Sequence, residues 1–198
     1  MVRILHVSDV HCDSNRLIRV LESESYEVVA GTGDFECIET AEALLKYAKA
    51  PVLAVTGNID HAAIARVFRD AGVLLDGRVR RVGEFVFAGV GGLDLKSSLS
   101  SLSEKLSGID RVHVLLSHHP PKGILDRVFI GFHIGSRELL NLVTRLKPLA
   151  HLFGHVHEAR GSLYRDGVLF VNAGPLKRGY YAIIDCSEEG CRVSAKKI

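Results

Sequence analysis

The pattern of apolar and polar positions divides the first third of the chain into two kinds of segment that follow each other in turn. Short apolar runs ending in glycine or polar residues have the length and composition of buried strands, and segments with apolar residues three and four apart predict helices. The predicted strands are 2–7, 26–34 and 51–58, and the predicted helices are 15–24, 36–50 and 61–72. A β-α-β-α-β-α order is typical of a parallel sheet with crossover helices.

The pattern changes in the rest of the chain. Residues 78–92 predict a hairpin that turns at Gly83-Glu84, and leucines at 95, 99, 102 and 106 predict an amphipathic helix within the serine-rich stretch. A buried strand is expected over 111–121 and a helix over 136–148. The remaining apolar runs predict four strands in a meander, over 149–157, 167–175, 180–187 and 191–197. No linker separates the halves, so we expect one α/β domain over 1–198, with two packed mixed sheets flanked by helices.

Length and composition fit a globular protein and exclude several functions. The 198 residues are 47% hydrophobic and 24% charged, and the formal net charge is +2. Such a balance gives no electrostatic signal for nucleic acid or membrane binding, and the Arg78, Arg80 and Arg81 cluster favours a solvated hairpin.

No apolar run approaches the ~18 residues that cross a bilayer. The start of the chain lacks a signal-peptide pattern, so we expect a cytoplasmic protein. A lack of glutamine and a single methionine are in line with a thermophile origin.

Polar side chains follow five of the predicted strands, at the point where each strand ends. They occur in the stretches Asp9-Val10-His11, Gly33-Asp34, Gly57-Asn58-Ile59-Asp60, Ser117-His118-His119-Pro120-Pro121 and Gly154-His155-Val156-His157. Any one of these stretches alone is typical of a turn or a surface histidine. Ligands of open α/β sheets collect outside the carboxyl ends of strands, so the five together predict a common site.

The spacing within two of these stretches favours metal binding. In an extended chain, residues i and i+2 point the same way. Asp9 with His11, and His155 with His157, would therefore each form a chelating pair. A mixed nitrogen and oxygen donor set suits zinc, manganese, iron or nickel better than calcium.

The five stretches, in this order, resemble the pattern of the calcineurin-like metallophosphoesterases: D-x-H, G-D, G-N-H-D/E, a histidine near prolines, and G-H-x-H. The segment 171–185, "VNAGPLKRGYYAIID", is also similar to the closing strands of small prokaryotic phosphodiesterase-like members. The resemblance covers nearly the whole chain and implies the four-layer αββα sandwich of that family.

The resemblance also implies two divalent metal ions (Mn, Zn, Fe or Ni) and assigns their ligands. One ion would be held by Asp9, His11, Asp34 and His157. The other would be held by Asp34, Asn58, His118 and His155, with Asp34 bridging the two ions. His118 is preferred to His119 because the family's ligand stands two residues before the first of the paired prolines.

One position departs from the family pattern. The histidine of G-N-H-D/E, which is often assigned to protonation of the leaving group, is Ile59 here. His119 and His61 are the weak candidates for an acid or base, although His61 is expected to start the following helix. The departure is shared by phosphodiesterase-like members and predicts lower rates with poor leaving groups.

The implied function is a dimetal hydrolase of phosphate esters, most of all a phosphodiesterase, with a metal-bridging hydroxide as nucleophile. The alternatives are a phosphomonoesterase, a non-phosphate hydrolase with the same dimetal centre, and a non-catalytic protein-interaction scaffold that has the same fold. The expected partner is a small phosphate ester. Loops 94–108 and 122–136 would determine which ester is bound. The apolar second loop could also serve as a lid or a homo-oligomer contact.

The four cysteines, at 12, 37, 186 and 191, include no C-x-x-C pair. Reduced thiols are the rule in a cytosol, and Cys12 is expected to pack near the metals without binding them. Cys186 and Cys191 bracket a four-residue turn, where a hairpin would bring them within disulfide reach. We expect reduced thiols there too, with a local disulfide clip as the alternative. Such a clip would add little stability because its loop is small.

Overall fold

The computed structural model describes residues 1–198 as two β-sheets packed face to face between two layers of helices. The strands are β1 Val2–Val7, β2 Val28–Thr32, β3 Val52–Val55, β4 Arg78–Val82, β5 Phe85–Val90, β6 Val114–Ser117, β7 Ala150–Phe153, β8 Gly161–Arg165, β9 Val168–Asn172, β10 Tyr180–Ser187 and β11 Gly190–Lys197. The helices are α1 Ser14–Ser23, α2 Ile38–Tyr47, α3 Ala62–Asp70, α4 Leu95–Lys105 and α5 Arg137–Leu146. Two short 3₁₀ helices span His157–Ala159 and Leu176–Arg178.

Both sheets are mixed, which confirms the predicted fold class. The first sheet has the strand order β11-β10-β1-β2-β3, and the second has the order β4-β5-β6-β7-β9-β8. Strands β1, β2 and β3 are parallel, as are β5, β6, β7 and β9. The carboxyl ends of these parallel strands carry the loops that matter for function.

Three apolar clusters hold the four layers together. One cluster lies between the sheets and includes Ile4, Val55, Phe87 and Leu116. A second joins the first sheet to α1, α2 and α3, and a third joins the second sheet to α4 and α5. Alternate residues of each buried strand therefore face different clusters, as expected for a sheet that is covered on both faces.

The predicted meander at the end of the chain is wrong. Strand β9 is parallel to β7, and β8, which the sequence pattern did not reveal, pairs antiparallel to β9. The last two strands then return to the first sheet, where β10 pairs antiparallel to β1. Strand β8 was missed because four of its five residues are exposed, so it has no apolar run to indicate it.

The cysteines form two disulfides, Cys12–Cys37 and Cys186–Cys191, and none is free. The expectation of reduced thiols is therefore wrong in this structure. Cys186 and Cys191 are direct partners in the β10–β11 hairpin, as the alternative interpretation required. The link from Cys12 to Cys37 was not foreseen, because it joins loops that are 25 residues apart in the chain.

None of the five helices combines the length and the apolar character needed to span a membrane.

Candidate metal centre

The polar side chains predicted from the strand ends converge at one edge of the two packed sheets. Asp9 and His11 follow β1, Asp34 follows β2, and Asn58 follows β3. From the second sheet, His118 follows β6, and His155 and His157 follow β7. The site therefore lies where the carboxyl ends of parallel strands from both sheets meet.

Three of these residues form a first cluster. Asp9, His11 and His157 each offer one ligand atom, and all three atoms lie within 4.8 Å of one another. His157 Nε2 is 3.2 Å from Asp9 Oδ1 and 3.3 Å from His11 Nε2. The Asp9 carboxylate is fully buried, and the two imidazoles are partly exposed.

A second cluster lies beside the first. Asp34, His118 and His155 also place their ligand atoms within 4.8 Å of one another. His118 Nε2 lies 3.3 Å from Asp34 Oδ2 and 2.8 Å from the side-chain oxygen of Asn58. Asn58 therefore adds a fourth possible donor beside His118.

The two clusters are joined through short contacts. The backbone N–H of His155 donates to both Asp9 carboxylate oxygens at 3.2 Å. The backbone N–H of His11 donates to the carbonyl of Asp34 at 3.0 Å. All seven predicted ligands thus lie in one compact group.

The donor set and its spacing fit divalent metal ions. Neighbouring ligand atoms at ~2.0–2.2 Å from one ion, arranged tetrahedrally or octahedrally, lie about 2.8–3.6 Å apart. The measured separations of 3.2 and 3.3 Å in the first cluster, and of 3.3 and 2.8 Å in the second, are close to that range. Imidazoles mixed with carboxylates suit zinc, manganese, iron or nickel.

Several ligands have an unusual backbone conformation, which corrects our reasoning from an extended chain. The φ angles are +52° at Asp9, +47° at His11, +56° at Asp34 and +69° at His155. Side chains with a Cβ rarely occupy this left-handed region, and each such residue costs about 1–3 kcal/mol. Asp9 and His11 do meet in one cluster, through a tight turn after the strand and not through strand alternation, whereas His155 and His157 lie in different clusters and form no chelating pair.

Two glycines allow the close approach of these loops. A Cβ added at Gly57 would lie 1.9 Å from Asp34 Oδ1, and one added at Gly154 would lie 2.3 Å from Asp9 Oδ2. Any larger residue at either position would displace a ligand carboxylate. The glycine in each of these strand-end stretches is therefore a steric requirement of the site.

Contacts behind the ligands fix how two imidazoles are oriented. His118 Nδ1 lies 2.8 Å from the carbonyl oxygen of Thr32, so it donates there, and His11 Nδ1 lies 3.3 Å from Glu36 Oε2. In both cases Nδ1 faces an oxygen acceptor, which orients the ring so that Nε2 faces the cluster. Such outer partners commonly orient histidine ligands of metals. Sequence reasoning missed Glu36 because no spacing rule links it to His11.

Asp60 is a second residue whose role the sequence did not reveal. Its buried carboxylate accepts hydrogen bonds from the backbone N–H groups of Gly57, Asp34 and Glu36 at 2.8, 3.1 and 2.8 Å. Burial raises the pKa of Asp60, against the opposing effect of these N–H donors, and the nearby Asp34 charge adds to the rise. Asp60 therefore ties together the two loops that carry Asp34 and Asn58.

The electrostatics of the protein groups favour a positive charge at the site. Burial opposes ionisation of Asp9, but hydrogen bonding to His157 and the nearby His118 hold its pKa at about 2. Burial likewise opposes a charged His118, yet Asp34 and Asp9 raise its pKa to about 9. Asp9 thus stays ionised, and its buried negative charge creates a field that a cation would satisfy.

His119 and His61, the two weak acid–base candidates, lie at different distances from the ligand clusters. His119 lies beside the second cluster, with its ring centroid 4.5 Å from that of His155. Burial and the neighbouring His118 and His155 lower the pKa of His119 to about 3. His61 is exposed at the start of α3 and belongs to neither cluster.

Ile59 stands at the rim of the site. Its backbone N–H donates to Asp34 Oδ1 at 3.3 Å, and its side chain is 44% exposed. The backbone of Ile59 therefore faces Asp34, but its side chain carries no group that could transfer a proton.

Comparison with known proteins agrees with this geometry. A sequence model described as the calcineurin-like phosphoesterase superfamily domain matches residues 2–189. The chain belongs to this superfamily. The match includes all seven clustered residues, so the resemblance of the motifs extends to the whole fold.

Two curated relatives match a shorter segment. A UPF0046 protein of Caenorhabditis elegans is 43% identical over 67 residues, which are 34% of this chain and 23% of that protein. The human metallophosphoesterase domain-containing protein 1 is 38% identical over 74 residues, which are 36% of this chain and 23% of the human protein. The matched segments thus span about a quarter of the length of these relatives.

Solved structures share the superfamily fold over nearly the whole chain. A Thermus thermophilus protein superposes with a TM-score of 0.70 at 18% identity, covering 98% of both chains. Wild-type Vps29 of Entamoeba histolytica, solved in complex with Zn²⁺, superposes with a TM-score of 0.54 at 15% identity. It covers 99% of this chain and 98% of its own.

Proposed function

We propose that this protein is a dimetal-dependent hydrolase of phosphate esters, best suited to phosphodiesters. One observation carries the proposal: two adjacent clusters of histidine and carboxylate side chains, each with ligand atoms within 4.8 Å, at the edge where both sheets end. Membership of the phosphoesterase superfamily supports the reaction class. The shared fold of Vps29 bound to Zn²⁺ supports metal binding by this architecture.

The seven clustered residues would hold two divalent ions. Asp9, His11 and His157 would bind one ion, and Asn58, His118 and His155 would bind the other, with Asp34 shared between them. When bound, such a pair of ions supplies a water nucleophile that is active near neutral pH and a positive charge for the phosphoryl oxygens. The donor set admits Mn, Zn, Fe or Ni.

The protein's own groups set the limits of the reaction. The carboxylates of Asp9 and Asp34 would hold the positive charge in place, and Thr32 and Glu36 orient the rings of His118 and His11 so that Nε2 faces the clusters. Ile59 offers no proton to a departing group. His119 packs against two ligand imidazoles without being a ligand itself, so it is the side chain proposed to contact the substrate or leaving group.

A non-catalytic scaffold is the second candidate, and one surface feature favours it. The turn at 128–132 leaves Phe129, Ile130 and Phe132 exposed by 89%, 78% and 67%. Exposed apolar side chains in such a group are common at protein contacts, so a protein partner or a second copy of this chain could bind there. The complete ligand set is the feature that favours the enzyme over the scaffold.

Turnover of a substrate panel by metal-reconstituted protein separates the candidates. The panel comprises mono-, di- and cyclic nucleotide phosphates together with bis(p-nitrophenyl) phosphate, assayed with Mn²⁺, Zn²⁺, Fe²⁺ and Ni²⁺. We expect metal-dependent hydrolysis of diesters, lost in Asp34→Asn and kept in Asp70→Asn, whose carboxylate is exposed at the end of α3. Failure to hydrolyse any ester with any metal would favour the scaffold.

A further inference from the structure

The Cys12–Cys37 disulfide joins the two loops that carry most of the first-sheet ligands. Cys12 directly follows His11, and Cys37 lies three residues beyond Asp34, where it precedes the first residue of α2. The two Cα atoms are 5.1 Å apart. The bond therefore closes a 25-residue segment at the point where it reaches the metal centre.

The backbone of both loops is held in an unfavourable conformation. Nine non-glycine residues of the chain have a positive φ, and five of them lie in these two short loops. They are Asp9, His11, Cys12, Asp34 and Glu36. Such conformations persist only where the surroundings over-determine them, so the loops need a strong constraint.

Apart from the disulfide, the loops are held against each other by backbone hydrogen bonds and by the burial of Val10 and Phe35 in one apolar cluster. The backbone N–H groups of Asp9, His11 and Cys12 donate to the carbonyls of Gly33, Asp34 and Phe35 at 3.0, 3.0 and 3.2 Å. One side-chain contact, from His11 to Glu36, is added at 3.3 Å. The disulfide is the only covalent link between the loops besides the chain itself.

We propose that the Cys12–Cys37 disulfide is a positioning element of the metal centre, and that its reduction weakens metal binding reversibly. The inference rests on the proposed function only in that the two clusters bind metal ions. With the bond intact, the left-handed loops are held with Asp9, His11 and Asp34 in place. With the bond open, the loops relax toward ordinary φ values and the ligands separate.

The chemical step is ordinary thiol–disulfide exchange with a dithiol. A thiolate of the dithiol attacks one sulfur of the Cys12–Cys37 bond, and the other cysteine leaves as a thiolate. The second thiol of the reductant then displaces the first cysteine and closes a cyclic disulfide. The protein gains two electrons and two protons as two thiols, and the dithiol loses the same. Cys12 is exposed and Cys37 is half-buried, so the reductant has access.

The second disulfide provides a matched control. Cys186–Cys191 lies in the β10–β11 hairpin, and Cys186 is buried in the cluster between the sheets. It contacts none of the ligand loops. The variant C186S/C191S therefore keeps only the bond under test, and C12S/C37S keeps only the control bond.

The experiment begins with thiol counting on the unfolded, unreduced protein, in which we expect no free thiols. Metal-stripped wild type and both variants are then titrated with Mn²⁺ by calorimetry, oxidised and after treatment with dithiothreitol that is removed under nitrogen. Amide hydrogen exchange at residues 9–12 and 33–37 is followed in the same metal-free samples.

Reduction should raise the Mn²⁺ dissociation constant of C186S/C191S at least tenfold and speed exchange in both loops, and reoxidation should reverse both effects. C12S/C37S should start with the raised constant and show no response to reduction. Free Cys12 and Cys37 in the unreduced protein, or Mn²⁺ binding by C186S/C191S that reduction leaves equal or tighter, would overturn the proposal. Because the readout is metal binding, a protein that binds metal but hydrolyses no ester contradicts the proposed function alone.

Discussion

Asp34 and His119 differ in what they touch, and this difference predicts their relative importance. Asp34 lies in the second cluster, accepts the backbone N–H of Ile59 and is the one carboxylate proposed to bind both ions. His119 contacts the rings of His118 and His155 from outside.

We expect Asp34→Asn to lower kcat/KM for a phosphodiester by more than about 100-fold, because even outer partners of metal ligands cost 10–100-fold. His119→Ala should cost about tenfold or less. Kinetics and metal analysis on the same samples check the ranking. Equal losses with unchanged metal content would show that Asp34 does not bridge the ions.

Ile59 predicts how the rate depends on the leaving group. An apolar side chain cannot donate a proton, so esters of poor leaving groups should react slowly. Ile59→His should raise the rates of those esters by at least about tenfold, since general acids contribute about 10²–10⁴-fold when well placed. Esters of good leaving groups should change little, and Ile59→Asn serves as the polar control. If the parent enzyme shows no dependence on leaving-group pKa, a missing acid does not limit it.

At the scale of elements, the conformation of the loops after β2 and β3 depends on the hydrogen bonds that Asp60 accepts. Replacing its carboxylate with an amide in Asp60→Asn puts an N–H donor where backbone N–H groups need an acceptor. We expect a loss of about 3 kcal/mol in the free energy of unfolding, since each buried group left unpaired costs about 1–3 kcal/mol. Urea denaturation measures it, with the exposed Asp70→Asn as control, for which we expect a change below about 0.5 kcal/mol. Comparable stability of the two variants would mean that the Asp60 hydrogen bonds are replaceable.

The elements also show what the sequence could and could not predict. Strand-end motifs predicted a common site because each motif needs only local order and a parallel sheet, and the family resemblance then singled out the seven clustered residues. The left-handed turns at Asp9, His11 and His155, and the roles of Thr32, Glu36 and Asp60, depend on contacts between distant loops. The same holds for the return of β10 to the first sheet and for the Cys12–Cys37 link. Nothing in local periodicity encodes these pairings.

For the whole molecule, two buried histidines predict a pH dependence of stability. His6 and His151 are fully buried, and Nδ1 of each has no hydrogen-bond partner. Burial lowers the pKa of each from 6.5 to about 3. Below pH 6.5 the unfolded chain therefore binds protons that the folded chain does not, so stability falls as the pH falls toward 3.

At about pH 5 each histidine should cost about 2 kcal/mol relative to neutral pH. His151→Leu should remove about that much of the difference between unfolding free energies at about pH 7.5 and about pH 5, measured by urea denaturation of metal-free protein. An unaltered difference in the variant would show that His151 is not neutral in the folded chain.

We propose that this αββα sandwich hydrolyses phosphate esters with two metal ions held where its sheets end. The cytoplasmic location, the thermophile origin and the natural substrate stay predictions beside it. The most direct measurement is the initial rate of bis(p-nitrophenyl) phosphate hydrolysis by metal-stripped protein as Mn²⁺ is added in known equivalents. We predict no rate without metal, a rise that levels off near two equivalents per chain, and a flat response in Asp34→Asn. A rate that is absent at every Mn²⁺ level, or that does not depend on Mn²⁺, would contradict a dimetal phosphodiesterase.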